Sequence, residues 1–282
     1  MYLAVFVTVF LLVILYLYIQ NNLHKVTSYK VFIPNLHSSV KDKKILFISD
    51  THFREKNSHA FIDQILNKIE KIEPDLILFG GDIIHVISAD QVIEQTKDFF
   101  SQLKMIAPTY VVYGNHDLGS ERLKELTATL KRVGVTLLDN EATWISFDKS
   151  GAGFWLIGLN EYMSSVSIKQ DVLSKIKMPK ESKNEPKILL AHYPHFFEKY
   201  LMDEEKRPNL VLSGHTHGGQ VILPIIGGLF APGQGKNPYY DFGLFTSDKH
   251  PDSRLIISRG LGNSTFPFRI NNRPEIIMIE FE

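Results

Sequence analysis

Five short apolar runs in this chain each lead into residues of the kind that bind metal ions. The runs begin at Ile45, Leu76, Tyr110, Ile188 and Leu210, and Asp, Asn or His side chains follow each of them. Runs of this length, bounded by turn residues, are typical of buried strands. In an open α/β sheet, ligands bind at the carboxyl ends of the strands. The pattern therefore predicts an α/β fold that gathers these polar side chains in one place.

The last run leads into Gly214-His215-Thr216-His217. Side chains two positions apart on an extended segment point to the same side, so both imidazoles can face one cavity. Neutral imidazole binds zinc, iron and related metals. A His-x-His pair alone is more often an ordinary loop, so the interpretation depends on the other four runs. Their ends supply Asp50 and His52, then Asp82, then Asn115, His116 and Asp117, and finally His192.

Helical periodicity separates the runs. Apolar residues recur at helical spacing from Phe61 to Ile72, from Val92 to Leu103 and from Leu123 to Leu130, with Gly134 at the position of a helix C-cap. Farther on, residues 143–159 predict a hairpin of two short strands. A further helix is expected near residues 167–176.

The N-terminus is a separate apolar segment. Met1 to Ile19 contains no charged side chain, and about 20 such residues span a bilayer. A cleaved signal peptide would have a basic start and a small-residue cleavage site, and neither is present before Lys25. We expect an uncleaved transmembrane anchor at residues 1–20, a tether and first strand at 21–42, and one globular domain at 43–282. We therefore expect the protein to be in the cell membrane, with a single pass.

Charge and cysteine content narrow the function classes. Lys plus Arg and Asp plus Glu both number 31, so no overall charge favours nucleic acid as a partner. There is no cysteine, which excludes disulfides and thiolate metal sites. Lys25 and Lys30 follow the anchor and favour a cytoplasmic domain. Two lysines leave the membrane face open.

In chain order, the polar motifs resemble the signature of the calcineurin-like metallophosphoesterases. That signature is Asp-x-His, Gly-Asp, Gly-Asn-His-Asp/Glu, His and Gly-His-x-His, and it is complete between about residues 44 and 217. The segments 214–220, 258–263 and 272–275 resemble a narrower, YkuE-like bacterial branch that is often membrane-associated. The resemblance implies a four-layer α/β/β/α sandwich for residues 43–282.

The resemblance also implies roles for nine residues. Seven would bind two divalent metal ions (Mn, Fe or Zn): Asp50, His52 and His217 the first, Asn115, His192 and His215 the second, and Asp82 both. A hydroxide between the two ions would attack phosphorus. His116 would contact the phosphate or protonate the leaving oxygen. Asp117 would orient the His116 ring.

The implied function is hydrolysis of a phosphodiester or phosphomonoester, lipid-linked or from the cell envelope, by a membrane-anchored enzyme. An alternative is a pyrophosphatase acting on a nucleotide-linked lipid precursor, with phenylalanines that could receive acyl chains: Phe230, Phe242, Phe245, Phe266 and Phe268. A non-catalytic scaffold of the same fold is a third hypothesis. It is disfavoured because every ligand position is filled and His116 is present. The substrate, the native metals and the oligomeric state are left open.

Overall fold

The computed structural model describes residues 1–55, 59–87, 89–160, 172–263 and 266–282. Of the helix expected near residues 167–176, residues 167–171 lie outside the described residues, and residues 172–176 form turns and a bend. Within the described ranges there are seven α-helices: α1 (Tyr2–Asn22), α2 (Ser38–Lys41), α3 (His59–Ile72), α4 (Asp90–Ile106), α5 (Asn115–Leu118), α6 (Leu123–Val133) and α7 (Phe197–Tyr200). Three 3₁₀ helices are found at Lys180–Asn184, Pro194–Phe196 and His217–Gly219.

The described strands number sixteen: β1 (Lys25–Val31), β2 (Ile45–Ile48), β3 (Leu76–Phe79), β4 (Thr109–Val111), β5 (Thr136–Leu137), β6 (Glu141–Ser146), β7 (Gly153–Leu159), β8 (Lys187–Ala191), β9 (Leu210–Ser213), β10 (Ile222–Leu223), β11 (Gly227–Gly228), β12 (Phe230–Ala231), β13 (Gly235–Lys236), β14 (Gly243–Thr246), β15 (Arg254–Ile257) and β16 (Glu275–Phe281).

Twelve of these strands form two six-stranded sheets. The first has the order β1-β16-β2-β3-β4-β5 and the second the order β14-β15-β9-β8-β7-β6. Strands β2 to β5 are parallel neighbours in the first sheet, and β7, β8, β9 and β15 are parallel neighbours in the second. The predicted β6–β7 hairpin is present as an antiparallel pair.

Alternate side chains of the buried strands belong to different hydrophobic clusters, and this shows how the layers stack. In β2, Leu46 and Ile48 pack with the helices α3, α4 and α6, whereas Ile45 and Phe47 pack between the two sheets. In β8, Leu189 packs in a third cluster, on the outer side of the second sheet, with residues of α7. Successive strand residues point to opposite faces, so each sheet needs a cover on both sides. The predicted mixed α/β fold with two central sheets is therefore confirmed.

The N-terminal region joins the domain more tightly than a tether would. Strand β1 pairs in parallel with β16 along all of Lys25–Val31, so these residues are part of the first sheet. Only Leu23 and His24 separate this strand from α1. Helix α1 has no fully buried residue and is long and apolar enough to be a candidate membrane span.

Candidate metal centre

The polar residues predicted from the five runs follow strands β2, β3 and β4 of the first sheet and β8 and β9 of the second. Three groups of side chains offer ligand atoms within 4.8 Å of one another: Asp50, His52 and His217; His52, Asp82 and His116; and Asp82, His192 and His215. The structure thus brings six of the seven predicted metal ligands into overlapping clusters. The seventh, Asn115, opens α5 beside His116.

The first cluster has the geometry of ligands around one ion. The Nε2 atoms of His52 and His217 lie 2.9 Å apart. The Oδ1 atom of Asp50 lies 3.5 Å from His217 Nε2 and 3.8 Å from His52 Nε2. Ligand atoms that each lie ~2.1 Å from a tetrahedral metal ion are ~3.4 Å apart. The spacing of these three side chains therefore fits a divalent cation.

Asp82 lies between His52 of the first group and His192 of the third group. Its Oδ2 atom is 3.4 Å from Nε2 of His52 and 3.3 Å from Nε2 of His192. Its Oδ1 atom accepts a 2.8 Å hydrogen bond from the backbone N–H of His116, which fixes the carboxylate plane. One oxygen of Asp82 is therefore next to His52 of the first group and His192 of the third.

Buried polar atoms without a hydrogen bond lie at the third group, which contains Asp82, His192 and His215. His192 donates from Nδ1 to the backbone carbonyl of Gly80 at 2.8 Å, which leaves the lone pair of Nε2 for another partner. That Nε2 atom and Oδ1 of Asn115 are buried and make no hydrogen bond. Buried polar atoms normally have a partner. The donor set therefore fits a bound cation at this position.

The backbone is strained where it presents these side chains. Five of the seven predicted ligands have positive φ angles: Asp50 (55°), His52 (44°), Asp82 (55°), His215 (72°) and His217 (50°). A non-glycine residue in this region is uncommon, and such strain is concentrated at functional sites. Left-handed turns aim consecutive polar residues back over the ends of the sheets.

Two glycines in the motifs make room for the carboxylates. A Cβ atom on Gly114 would lie 2.2 Å from Oδ1 of Asp82, and one on Gly214 would lie 2.2 Å from Oδ2 of Asp50. Any larger residue at either position would displace a predicted ligand. These glycines are therefore needed for close approach of the backbone to the site.

Burial and neighbouring charges together set the charge of the site residues. At His192, burial alone would lower the pKa, but the neighbouring Asp82 outweighs it and raises that pKa to about 10. Burial lowers the pKa of His52, His215 and His217 well below the usual value, so these rings are neutral, which is the form that binds metals. Burial alone would raise the pKa of Asp82, but the neighbouring His192 and His52 outweigh it and hold that pKa well below its usual range. Asp82 is therefore ionised at neutral pH.

His116 lies at the mouth of the site. Its ring is partly buried, and its centroid is 4.6 Å from that of His52 and 4.9 Å from that of His85. The Nδ1 atom of His116 accepts a 3.3 Å hydrogen bond from the backbone N–H of Val86. In a neutral ring the proton is then on Nε2.

The structure places Asp117 differently from the prediction that it orients His116. Both of its carboxylate oxygens accept hydrogen bonds from backbone N–H groups of Ile83, Ile84 and Gly114, at 3.0 to 3.2 Å. Burial raises the pKa of Asp117 to about 7. The buried carboxyl group joins the loop after β3 to the loop after β4. It therefore positions the loops that carry Asp82 and Asn115.

From the sequence, Asn272 belongs to the segment 272–275 but has no predicted role, whereas in the structure it supports the histidine loop. Its side-chain amide donates to the backbone carbonyls of His217 (2.7 Å) and Gln220 (3.1 Å). Arg269 is likewise fully buried and donates to the carbonyls of Arg259 and Gly262. No spacing rule links these residues to the motifs, because their partners are far away in the sequence.

Comparison with known proteins agrees with this geometry. The profile of the calcineurin-like phosphoesterase family matches residues 43–219. The phosphodiesterase YaeI of Escherichia coli is 35% identical over 241 residues, which are 84% of this chain and 81% of YaeI. The uncharacterised metallophosphoesterase YkuE of Bacillus subtilis is 29% identical over 233 residues, which are 83% of this chain and 77% of YkuE.

A vertebrate relative is longer. The transmembrane protein with metallophosphoesterase domain of Danio rerio is 26% identical over 264 residues, which are 90% of this chain but 56% of the relative. The family profile covers more than half of this chain, and the motifs on which it rests converge at one site. The chain therefore belongs to the calcineurin-like phosphoesterase family, whose members are metal-dependent hydrolases of phosphoric esters.

Proposed function

We propose that this chain is a membrane-anchored phosphoesterase that works with two divalent metal ions. The ligands assigned to the ions are Asp50, His52 and His217 for the first, Asn115, His192 and His215 for the second, and Asp82 for both. The observation that carries this proposal is the position of Asp82 Oδ2, 3.4 Å from His52 Nε2 and 3.3 Å from His192 Nε2. A carboxylate that close to two imidazole nitrogens of separate clusters suits a shared ligand.

When bound, the two cations would neutralise phosphate charge and acidify a water molecule. The residues of the chain perform the remaining tasks. The buried imidazoles of His52, His215 and His217 are neutral and the buried Asp82 is ionised, so these four groups can bind a cation without first losing a proton. The pKa of His192 is raised to about 10 beside Asp82, so a cation that binds its Nε2 atom must displace a proton. The backbone hydrogen bonds of Asp117 hold the two loops that carry Asp82 and Asn115.

His116 is assigned to the phosphate and the leaving group. Its Nδ1 atom accepts from Val86, so Nε2–H can donate to a phosphate oxygen or pass its proton to the leaving oxygen. A group of this kind must reach the substrate without being a metal ligand, and a partly exposed ring next to His52 meets that need.

Two observations support a membrane anchor. Helix α1 has 21 residues and a length of about 31 Å, close to the thickness of a bilayer's hydrocarbon core. The relative from Danio rerio is named as a transmembrane protein. We therefore place the chain in the cell membrane with a single pass.

The proposed substrate class is the phosphodiester, because YaeI is named a phosphodiesterase and is 35% identical. For the alternative, a lipid-linked pyrophosphate, the aromatic residues divide into two groups. Phe230, Phe266 and Phe268 are exposed. Phe242 lies under the guanidinium of Arg259, and Phe245 packs against Tyr240. Only the first group is available to an acyl chain.

The test uses the full chain in detergent, stripped of metal and reloaded with Mn, Fe or Zn. Metal content and hydrolysis of a phosphomonoester, a phosphodiester and a nucleotide-linked lipid diphosphate would be measured in parallel. We expect two ions per chain and fastest turnover of the diester. Binding of one ion, or none, would contradict the proposed ligand set. Fastest turnover of the diphosphate would favour the pyrophosphatase.

A further inference from the structure

An apolar hairpin tip follows directly after the histidine loop. Strands β10 and β11 pair as a hairpin whose tip is Pro224-Ile225-Ile226. Ile225 is fully exposed, at 108%, and Ile226 is 59% exposed. Residues 221–235 contain no Asp, Glu, Lys or Arg. A surface loop that contacted only water would be expected to carry polar residues at its tip.

The backbone of this tip is unusual as well. Ile225 has a φ angle of 72°, and a β-branched residue in the left-handed region is a genuine outlier. Gly or Asn would adopt this conformation more easily. None of the described residues covers Ile225. Strain and exposure together indicate a partner outside the chain.

A second apolar segment lies beside the first. Phe266 and Phe268 are 48% and 46% exposed, and their ring centroids are 6.0 Å apart. Ile270, two residues later, accepts a 3.0 Å hydrogen bond from the backbone N–H of Ile222 in the hairpin. A backbone hydrogen bond therefore joins the two segments at the base of the hairpin. We group their exposed apolar residues under the name membrane lip and define it as Ile225, Ile226, Phe266 and Phe268.

The end of α1 is attached to the same surface. Asn263 donates from its side chain to Asn21 Oδ1 (3.0 Å) and to the carbonyl of Pro267 (3.1 Å). Tyr16 donates to Asn271 Oδ1 at 2.8 Å and accepts from the Asn271 N–H at 3.0 Å. The part of the membrane lip formed by Phe266 and Phe268 is therefore next to the last turns of the apolar helix.

The position of Tyr16 gives the depth of this contact. Tyr16 precedes the end of α1 at Asn22 by six residues, or roughly 9 Å along the helix axis. Leu17 to Ile19 continue the apolar segment beyond it. A helix that spans the bilayer with this segment places Asn271 at the level of the headgroup and acyl boundary, where amphipathic elements insert by roughly 5–10 Å.

We propose that the membrane lip inserts into the interfacial layer of the bilayer beside α1 and holds the mouth of the metal centre against the membrane surface. This inference rests on the proposed membrane span. The hairpin starts three residues after the 3₁₀ helix that contains His217, and Gly219 packs against Gly228 of β11. Insertion of the lip therefore orients the site toward phosphate esters carried at the membrane surface.

The test places single tryptophans in the full chain, reconstituted in nanodiscs with or without lipids brominated on the acyl chains. The variants are Ile225→Trp, Phe266→Trp, Phe10→Trp in α1, and Met105→Trp as the control. Met105 is an apolar residue of the described chain with 86% exposure, and it lies at the opposite edge of the sheets, just before β4. The unsubstituted chain gives the background emission of Trp144 and Trp155.

We expect brominated lipid to remove at least about half of the added emission at positions 225, 266 and 10, because bromine quenches only at insertion depth, and little at position 105. Quenching at position 10 with none at 225 and 266 beyond the control would overturn the membrane lip and leave the anchor intact. Absence of quenching at position 10 would overturn the membrane span, and the lip with it.

A second measurement distinguishes a role of the membrane lip in reaching membrane substrates from a role in hydrolysis itself. The double variant Ile225→Asp, Ile226→Asp should lower hydrolysis of a phosphodiester lipid in vesicles at least about tenfold, since charged residues insert poorly. Turnover of a soluble diester should stay unchanged. Equal loss on both substrates would contradict the proposed role of the lip, whereas no hydrolysis of either ester by the unsubstituted chain would contradict the proposed function instead.

Discussion

The side-chain amide of Asn272 donates a 2.7 Å hydrogen bond to the backbone carbonyl of His217. The backbone N–H of the same asparagine donates to Oε1 of Gln20, at 3.0 Å, in the last turns of α1. Asn272 itself is fully buried. One residue therefore connects the N-terminal helix to the loop that carries a proposed metal ligand.

Replacing this asparagine should weaken both the fold and metal binding. Asn272→Ala leaves the carbonyls of His217 and Gln220 unpaired, which we expect to destabilise the fold by about 2 kcal/mol. Loss of the support behind a ligand should lower metal affinity about 10- to 100-fold. Thermal unfolding and metal titration of the variant would measure both effects. Asn67→Ala, at an exposed position of α3, is the control, and equal effects at both sites would refute the positioning role of Asn272.

Removing the charge of Asp82 should disable the metal centre. Asp82→Asn keeps the shape of the side chain but reduces its ability to neutralise two cations, so we expect loss of at least one ion per chain and an activity loss of at least about 100-fold. Elemental analysis and turnover of a diester would be measured on the same sample. Asp75→Asn is the matched control, since Asp75 lies at the other end of β3 and contacts Lys43. Full metal content in Asp82→Asn would contradict a shared carboxylate.

Changing His116 should affect turnover without affecting metal content. His116→Ala removes a proton donor from the mouth of the site, and we expect turnover to fall about 10²- to 10⁴-fold while both ions are retained. Turnover of a diester with a very good leaving group should fall less in this variant, because its leaving oxygen needs no proton. The comparison variant is His85→Ala, which changes the ring 4.9 Å away. Unchanged hydrolysis in His116→Ala would show that the assigned role is wrong.

The stability of the fold should depend on pH through His24, which lies between α1 and β1. Burial lowers the pKa of His24 from 6.5 to about 4, while its Nδ1–H donates to Gln64 Oε1 at 2.6 Å. The unfolded chain binds the proton first, so the stability supplied by neutral His24 is present above pH 6.5 and lost as pH falls toward 4. The difference corresponds to about 3 kcal/mol.

The measurement is the thermal midpoint of the full chain in detergent between pH 7 and pH 4. His24→Gln should flatten the acid side of that profile, whereas His37→Gln, at an exposed position, should leave it as in the unsubstituted chain. A profile of His24→Gln with the same slope as the original would assign the acid sensitivity to other groups.

Several elements were predictable because their signals are local. The apolar runs become β2, β3, β4, β8 and β9, and the helical periodicities become α3, α4 and α6. Gly134 ends α6 with a φ of 84°, as expected of a C-cap. The segment 221–238, which is rich in Gly and Pro, contains two short hairpins. Strands of two residues are too short to show a periodic pattern in the sequence.

The sequence by itself determined which polar residues follow the strands, since binary patterning and turn chemistry depend on neighbours in the chain. Tertiary structure alone decided that Asp82 Oδ2 lies between His52 and His192, which are 30 and 110 positions away. It also decided that Asp117 binds backbone amides instead of His116, and that Ile225 is exposed at the tip of the β10–β11 hairpin. These outcomes depend on the direction of side chains and on contacts between distant segments, and both are fixed only when the two sheets pack together.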